Sequence, residues 1–425
     1  MSAFLQILEQ FFSPVSRWRM ALGILIRQWL ATTYVAGVSM LLIFFLGRML
    51  GPENFGIYSF VLSAVSIYAI VLDGGYRTLI FREGVSQSGG LSLHADQLLA
   101  SAIGNVLIFT VAGILSILLW QQEFRWVVIA AILCFSLITV TVFLSCRLKA
   151  EGRFPEEAAW QIVVRTLTAL SVFVAVYFLH GSILHIYIAW SLGLLMALAL
   201  PMARALRVRP SLNLNYGVLK SCLAFVTIDA ATILYFRSDI VMLGLLGAGN
   251  TVVGQYSAAS KILEGIVLMM TPVAHLAFRS LRLHWQQKEE FNRLYKLLML
   301  LVLPVSALIA VAGLFFANDI ILFAFGGQYS DAGELLFWLL MAVFFILPNY
   351  IATQAVIALN LERYYAIAAT LAAVFNIATN YVLIPLHGAL GAAWATIATE
   401  GFLLVFLVLV IAGNGTRGMK KTVTE

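Results

Sequence analysis

Over 425 residues the chain is 62% hydrophobic and 11% charged, with a net charge of +6; a soluble globular chain carries roughly 45–50% and about 25%. Such a balance excludes a water-soluble enzyme and points to a helix bundle in a membrane. The basic residues are spread along short loops, so the charge reads as a topology signal rather than a nucleic-acid surface.

Residues 1–20 come first. Phe4, Ile7, Leu8, Phe11, Phe12, Val15 and Trp18 recur at helical spacing, with Glu9, Ser13, Arg17 and Arg19 elsewhere around the wheel. The pattern predicts an amphipathic helix on the inner interface, with simple packing against the bundle as the plainer alternative. The first apolar run is of crossing length and lacks a small-residue cleavage site, which argues against a cleaved signal.

Twelve apolar stretches follow, near 28–48, 54–75, 98–120, 126–146, 160–180, 183–206, 219–246, 251–278, 294–325, 332–358, 363–385 and 390–413. About 20 residues at 1.5 Å rise span the ~30 Å hydrocarbon core. The runs are continuously apolar rather than alternating, which disfavours strands. The ninth is too long for a straight crossing, and its tail, Ala317-Asn318-Asp319-Ile320, is expected to begin a loop or interfacial turn. The expected organisation is an interfacial helix over 1–20, an N-terminal six-helix bundle over 21–212 and a C-terminal six-helix bundle over 213–425.

Orientation follows from Lys and Arg, which concentrate in cytoplasmic loops. With a cytoplasmic N-terminus, only Arg48 and Arg125 fall outside, and Arg165, Arg237 and Lys261 lie within spans. The other 21 of the 26 basic residues are inside. Both termini are then cytoplasmic.

The three cysteines form no CxxC pair and no disulfide framework. The six histidines form no metal-ligand spacing, and no Walker, GxSxG or dinucleotide motif occurs. No metal or cofactor is expected, and the chain has no nucleotide-hydrolysing motif of its own.

The sequence repeats itself. Leu50-Gly51-Pro52-Glu53-Asn54-Phe55-Gly56-Ile57-Tyr58-Ser59 follows the first span. Leu246-Gly247-Ala248-Gly249-Asn250-Thr251-Val252-Val253-Gly254-Gln255-Tyr256-Ser257 follows the seventh. Both read Leu-Gly, a short turn, then Gly-x-Tyr-Ser opening the next helix. Leu148-Lys149-Ala150-Glu151-Gly152-Arg153 and Leu359-Asn360-Leu361-Glu362-Arg363 form a second pair. An offset of six spans gives two halves of like orientation, related by an axis along the membrane normal, as suits a transporter with a cavity between its halves. A common interfacial turn is the plainer account of Gly-x-Tyr-Ser.

These stretches resemble a family. Leu46-Gly47-Arg48-Met49 leading into Leu50–Ser59 is similar to the entry motif of the polysaccharide transporters, the lipid-linked oligosaccharide flippases of the multidrug/oligosaccharidyl-lipid/polysaccharide export superfamily. The resemblance continues in Asp239-Ile240-Val241-Met242-Leu243-Gly244 and Val253–Ala259. It extends to Asn376-Ile377-Ala378-Thr379-Asn380, Leu383-Ile384-Pro385, Gly388, Gly391-Ala392-Ala393 and Ala395-Thr396. It implies an all-α polytopic protein of twelve transmembrane helices in two six-helix bundles, with a parallel pseudo-twofold repeat and a hydrophilic central cavity. It also implies movement of an undecaprenyl-pyrophosphate-linked oligosaccharide from the inner to the outer leaflet of a bacterial inner membrane, for O-antigen, capsule or exopolysaccharide synthesis.

Such a headgroup needs a path of polar groups and cations, because unsatisfied hydroxyls cost several kcal/mol each in hydrocarbon and phosphates far more. Intramembrane charges are therefore the first candidates. Lys261, near the middle of the eighth span, is the leading phosphate contact, with Glu264 three residues on and Glu400 at similar depth as exchangeable partners. A buried ion pair that only fixes packing is the competing reading. Arg237 has the fork geometry for phosphate, and Asp239, two residues away, points elsewhere. Snorkelling to the surface is its plainer role. Arg165 lies near the inner end of the fifth span, where it either snorkels or stands at a cavity mouth. Asn376 and Asn380 share a helix face and bond sugar hydroxyls or join helices. Asp229, Asp239, Glu264 and Glu400 are the candidate carriers of a coupling H⁺ or Na⁺. Tyr58, Tyr235, Tyr256 and Tyr350 suit sugar stacking but equally belts and packing.

The expected partners are a lipid-linked oligosaccharide, membrane lipids, a coupling ion, and the polymerase and glycosyltransferases of the same pathway. The alternatives are a cation-coupled multidrug exporter, a membrane glycan polymerase and a scaffold. Short outside loops disfavour the polymerase, so no enzyme activity is expected.

Overall fold

The computed structural model describes residues 15–86, 92–119, 124–206, 208–211 and 216–414. Most of the interfacial helix expected over 1–20 lies outside them. The described elements are helical, with no strand among them.

Val15–Asp73 is a helix broken at Gly51, whose φ of 68° and ψ of 169° are open to glycine and strained for other residues. The break yields α1 (15–50) and α2 (52–73), and Pro52, which cannot donate an N–H, opens the second. Next come α3 (Tyr76–Ser86), α4 (Ser92–Leu119), α5 (Arg125–Ala150), α6 (Phe154–Tyr177) and α7 (Ile183–Ala199). A short 3-10 turn, Pro201–Leu206, precedes α8 (Tyr216–Leu245), α9 (Asn250–Met269), α10 (Thr271–Leu283), α11 (Lys288–Phe325) and α12 (Ala332–Ala358). Glu362–Asn414 is broken at Gly388, φ 58° and ψ −133°, into α13 (362–387) and α14 (389–414). Leaving out the short α3 and α10, twelve helical segments of crossing length remain among the described residues, matching the expected number.

Two segments differ from expectation. The eighth apolar run divides: the crossing helix ends at Met269, and Pro272 at the start of α10 opens a separate amphipathic helix bearing Arg279 and Arg282. The matching short helix after the second span is α3, so the six-span repeat includes both extensions. In the ninth run no loop begins at Ala317–Ile320. Helix α11 continues to Phe325 and stops at Gly326, φ 90°. Tight packing explains the continuation: an added Cβ on Gly333 of α12 would overlap the Asn318 side chain.

The chain forms two compact units. The first comprises 1–42 and 69–226, the second 43–68 and 227–425. Segment 43–68, which belongs by sequence to the half 21–212, thus stands with the second unit.

In the first unit, Tyr76, Leu79, Leu99, Ala102, Phe143 and Cys222 form an apolar core. Asn105 holds the end of α2 by donating to the carbonyls of Val71 (3.0 Å) and Leu72 (2.9 Å). Glu157 of α6 is fully buried and accepts from Gln28 of α1 (3.0 Å), from Gln161 and from Lys149 (3.2 Å).

In the second unit, alanines let helices approach: Ala352, Ala355, Ala358 and Ala368 pack with Leu281, Phe291 and Leu407. The repeated turns meet here. Gly56 of α2 lies against the Asn250 carbonyl, and Gly254 of α9 against the Pro52 carbonyl, each too close for a Cβ. Arg48 donates to the carbonyls of Ala324 (3.1 Å) and Phe323, and the Tyr329 hydroxyl to that of Gly47 (2.7 Å).

Candidate functional site

Within the second unit, α8, α9, α12, α13 and α14 enclose a cavity of about 310 Å³. Its polar lining follows from helical spacing. Tyr235 and Asp239 on α8, Thr396 and Glu400 on α14, Asn349 and Thr353 on α12, and Tyr350 and Gln354 on α12 are each one turn apart. Every such pair therefore presents one face.

Three carboxylates reach the wall, each with its own partners. Asp239 accepts from the Tyr256 hydroxyl (2.8 Å), the Thr396 hydroxyl (3.1 Å) and Asn380 Nδ2 (2.6 Å). Asn380 also donates to Asn376 Oδ1 at 3.0 Å, which accepts from the Ser238 hydroxyl at 2.8 Å. Asn376 and Asn380 thus join helices, and they do so around a carboxylate. Glu400 accepts from the Tyr235 hydroxyl and from Asn349 Nδ2 (2.6 Å). The expected pairing of Glu400 with Lys261 does not form: α8 and α12 supply neutral donors to it first. Two amide oxygens beside these acids, Asn380 Oδ1 and Asn349 Oδ1, are buried and accept no hydrogen bond.

Glu264 carries the charge cluster. Lys261 Nζ donates to both its oxygens at 2.8 Å, the pair expected from i,i+3 spacing. Arg237 Nη1 of α8 donates to Oε1 at 2.9 Å. Arg237 thus bypasses Asp239, its neighbour in sequence, for an acid on another helix. The Lys261 side chain is only 5% exposed, against 24% for Arg237 and 35% for Glu264. Lys261 and Arg237, the phosphate contacts expected from sequence, are not on the cavity wall. Glu264 faces the cavity, while both cations stand behind that carboxylate.

The other candidates lie apart. Arg165 is on α6 in the first unit, and half-buried Asp229 is on α8 but off the cavity wall. Tyr365 of α13 and the α12 residues Asn349, Thr353 and Gln354 also line the cavity. Sequence reasoning passed over them. For the α12 residues the signal was a polar stripe at i, i+3, i+4, i+7 and i+8, starting at apolar Ile346, within an otherwise apolar span.

The family model described as polysaccharide biosynthesis protein matches residues 26–279. A curated relative, the probable low-salt glycan biosynthesis flippase Agl15 of Haloferax volcanii, is 25% identical over 395 residues, covering 87% of this chain and 79% of its own length. Among solved structures, the lipid II flippase MurJ in an inward closed conformation aligns with TM-score 0.69 and 14% identity, over 93% of this chain and 90% of its own. An inward-facing multidrug resistance MATE transporter of the MOP superfamily aligns with TM-score 0.71 and 14% identity, over 91% and 95%. Both solved structures share the fold. The chain belongs to the polysaccharide biosynthesis protein family, as a multi-pass membrane protein with the MOP transporter fold.

Proposed function

We propose that this chain moves an undecaprenyl-pyrophosphate-linked oligosaccharide from the inner to the outer leaflet of a bacterial inner membrane by alternating access. The moving halves are 21–212 and 213–425, and both termini are cytoplasmic. The observation that carries the reading is the pair of cations, Arg237 and Lys261, sharing the single carboxylate of Glu264 at membrane depth. The cluster holds one excess positive charge where a lone charge is costly. A pyrophosphate that replaces Glu264 receives a bidentate guanidinium and an ammonium together. The family match and the likeness to a glycan flippase supply the class of cargo.

Coupling rests on Asp239 and Glu400. Glu400 is buried and Asp239 half-buried, each among neutral donors only, with no Lys or Arg on it among the described residues. A bare carboxylate there costs several kcal/mol, so each takes up H⁺ or Na⁺. The vacant amide oxygens of Asn380 and Asn349 suit a cation beside them. The polymerase and glycosyltransferases of the same pathway would supply and consume the cargo.

The carboxylate-lined wall favours a second reading, a cation-coupled exporter of cationic amphiphiles. Deleting the chain from its host separates the two. The flippase reading expects lipid-linked glycan to accumulate on the inner leaflet. The exporter reading expects drug sensitivity and an unchanged glycan-lipid pool.

A further inference from the structure

The cavity has two layers of different chemistry. Toward the far end the donors are spent: Tyr256 and Thr396 donate to Asp239, Asn376 to Thr399 and Asn349 to Glu400. Toward the end where α12 stops and α13 begins, Tyr350, Thr353, Gln354 and Tyr365 line the same cavity. None of these four side chains makes a hydrogen bond among the described residues, and all four are half-buried rather than surface-exposed.

Unspent donors in a membrane span are costly unless something polar meets them. These four are neutral, which argues against an ion. Two are aromatic rings with hydroxyl tips, one is a carboxamide and one a short hydroxyl. Such a set suits a sugar: rings stack on the C–H faces of a pyranose, and the amide and hydroxyls bond its hydroxyl groups. At about 310 Å³ the space admits a sugar unit.

We infer that Tyr350, Thr353, Gln354 and Tyr365 form a carbohydrate subsite that reads the glycan of the cargo, separate from the Arg237–Lys261 phosphate contacts. The inference rests on the flippase reading and adds to it the residues that select the sugar. Glu264 links the two: it holds both cations and also faces the cavity.

Binding of two probes to the purified chain in nanodiscs tests this. One probe is undecaprenyl pyrophosphate. The other is the lipid-linked glycan fraction from host cells lacking the chain. Wild type should bind the glycan-bearing probe more tightly. The double substitution Thr353→Val, Gln354→Leu should weaken that binding about tenfold or more and leave the sugar-free probe unchanged. Tyr350→Phe with Tyr365→Phe removes only two hydroxyl groups and serves if the first pair fails to fold; it should weaken glycan binding by about threefold to tenfold. Equal loss for both probes, or no loss for either, overturns the subsite. Wild type binding both probes equally overturns the subsite and leaves the flippase reading standing. Wild type binding neither overturns both.

Discussion

Gly56 and Gly254 hold the same place in two copies of one motif, and each rests on the turn that precedes the other. Gly56 lies on the Asn250 carbonyl and Gly254 on the Pro52 carbonyl, four residues ahead of its counterpart in each case. A methyl group at either site must displace backbone. Gly56→Ala or Gly254→Ala is therefore expected to destabilise the chain by about 1–3 kcal/mol, despite alanine's better helix propensity. Gly37 of α1 has open space around it. Gly37→Ala should leave stability unchanged or raise it by about 0.5–1 kcal/mol. Thermal unfolding in detergent, with the three variants side by side, checks the order.

The Glu264 cluster makes an asymmetric prediction. Removing Lys261 leaves Glu264 paired with Arg237, whereas removing Glu264 leaves two cations facing nothing. Glu264→Gln should thus lower thermal stability more than Lys261→Met, and the double variant should recover part of the loss. If Glu264 holds the place of phosphate, Glu264→Gln should also bind undecaprenyl pyrophosphate about tenfold more tightly while turnover falls. Loss of binding in Glu264→Gln would place the carboxylate among the phosphate's supports instead of its competitors.

Much of this was legible in the sequence, for reasons that also mark where legibility ended. Apolar run length gave the twelve crossings, because the bilayer sets it. Glycines at Gly51, Gly247 and Gly249 marked turns that the structure makes with positive φ, at 68°, 80° and 86°. The Lys261–Glu264 pair followed from spacing on one helix. What spacing on one helix cannot give is the choice of partner across helices. Arg237 takes Glu264 rather than Asp239, and Glu400 takes Tyr235 and Asn349 rather than Lys261. The cations' retreat behind Glu264 is likewise a packing outcome. So is the unbroken α11, whose polar Asn318 looked like a helix end and instead packs against Gly333.

Asp239→Asn keeps the shape of the side chain and removes its charge. With Asp239 as a coupling site, transport in proteoliposomes should lose its response to an imposed H⁺ or Na⁺ gradient, while cargo binding changes by less than about threefold. Wild-type transport should also respond to membrane potential, since each charge moved across 100 mV is worth ~2.3 kcal/mol. Transport indifferent to both gradient and potential in the wild type would remove the coupling role from Asp239 and Glu400 together.

Glu157 carries the last prediction, and nothing in the local sequence singled it out. It stands among Arg153, Glu156 and Lys149, as a solvated helix start would, yet it is fully buried. Gln28 of α1 donates both to its carboxylate and to the Phe154 carbonyl (2.7 Å), so α1 is tied to the start of α6 in part through this acid. Glu157→Leu removes the acceptor shared by Gln28, Gln161 and Lys149. Lys149 is 38% exposed and can turn to water, and Gln28 keeps the Phe154 carbonyl, so the cost falls on the half-buried Gln161 amide. A loss of about 1–3 kcal/mol follows from that one stranded donor. Glu157→Gln keeps an acceptor oxygen and should lose about half as much. Hydrogen exchange should quicken over the segment of α1 around Gln28 in both variants, more in Glu157→Leu, and stay unchanged in the α12–α14 segments of the second unit. Uniform quickening along the chain would mean that Glu157 supports the whole fold and not this one anchor.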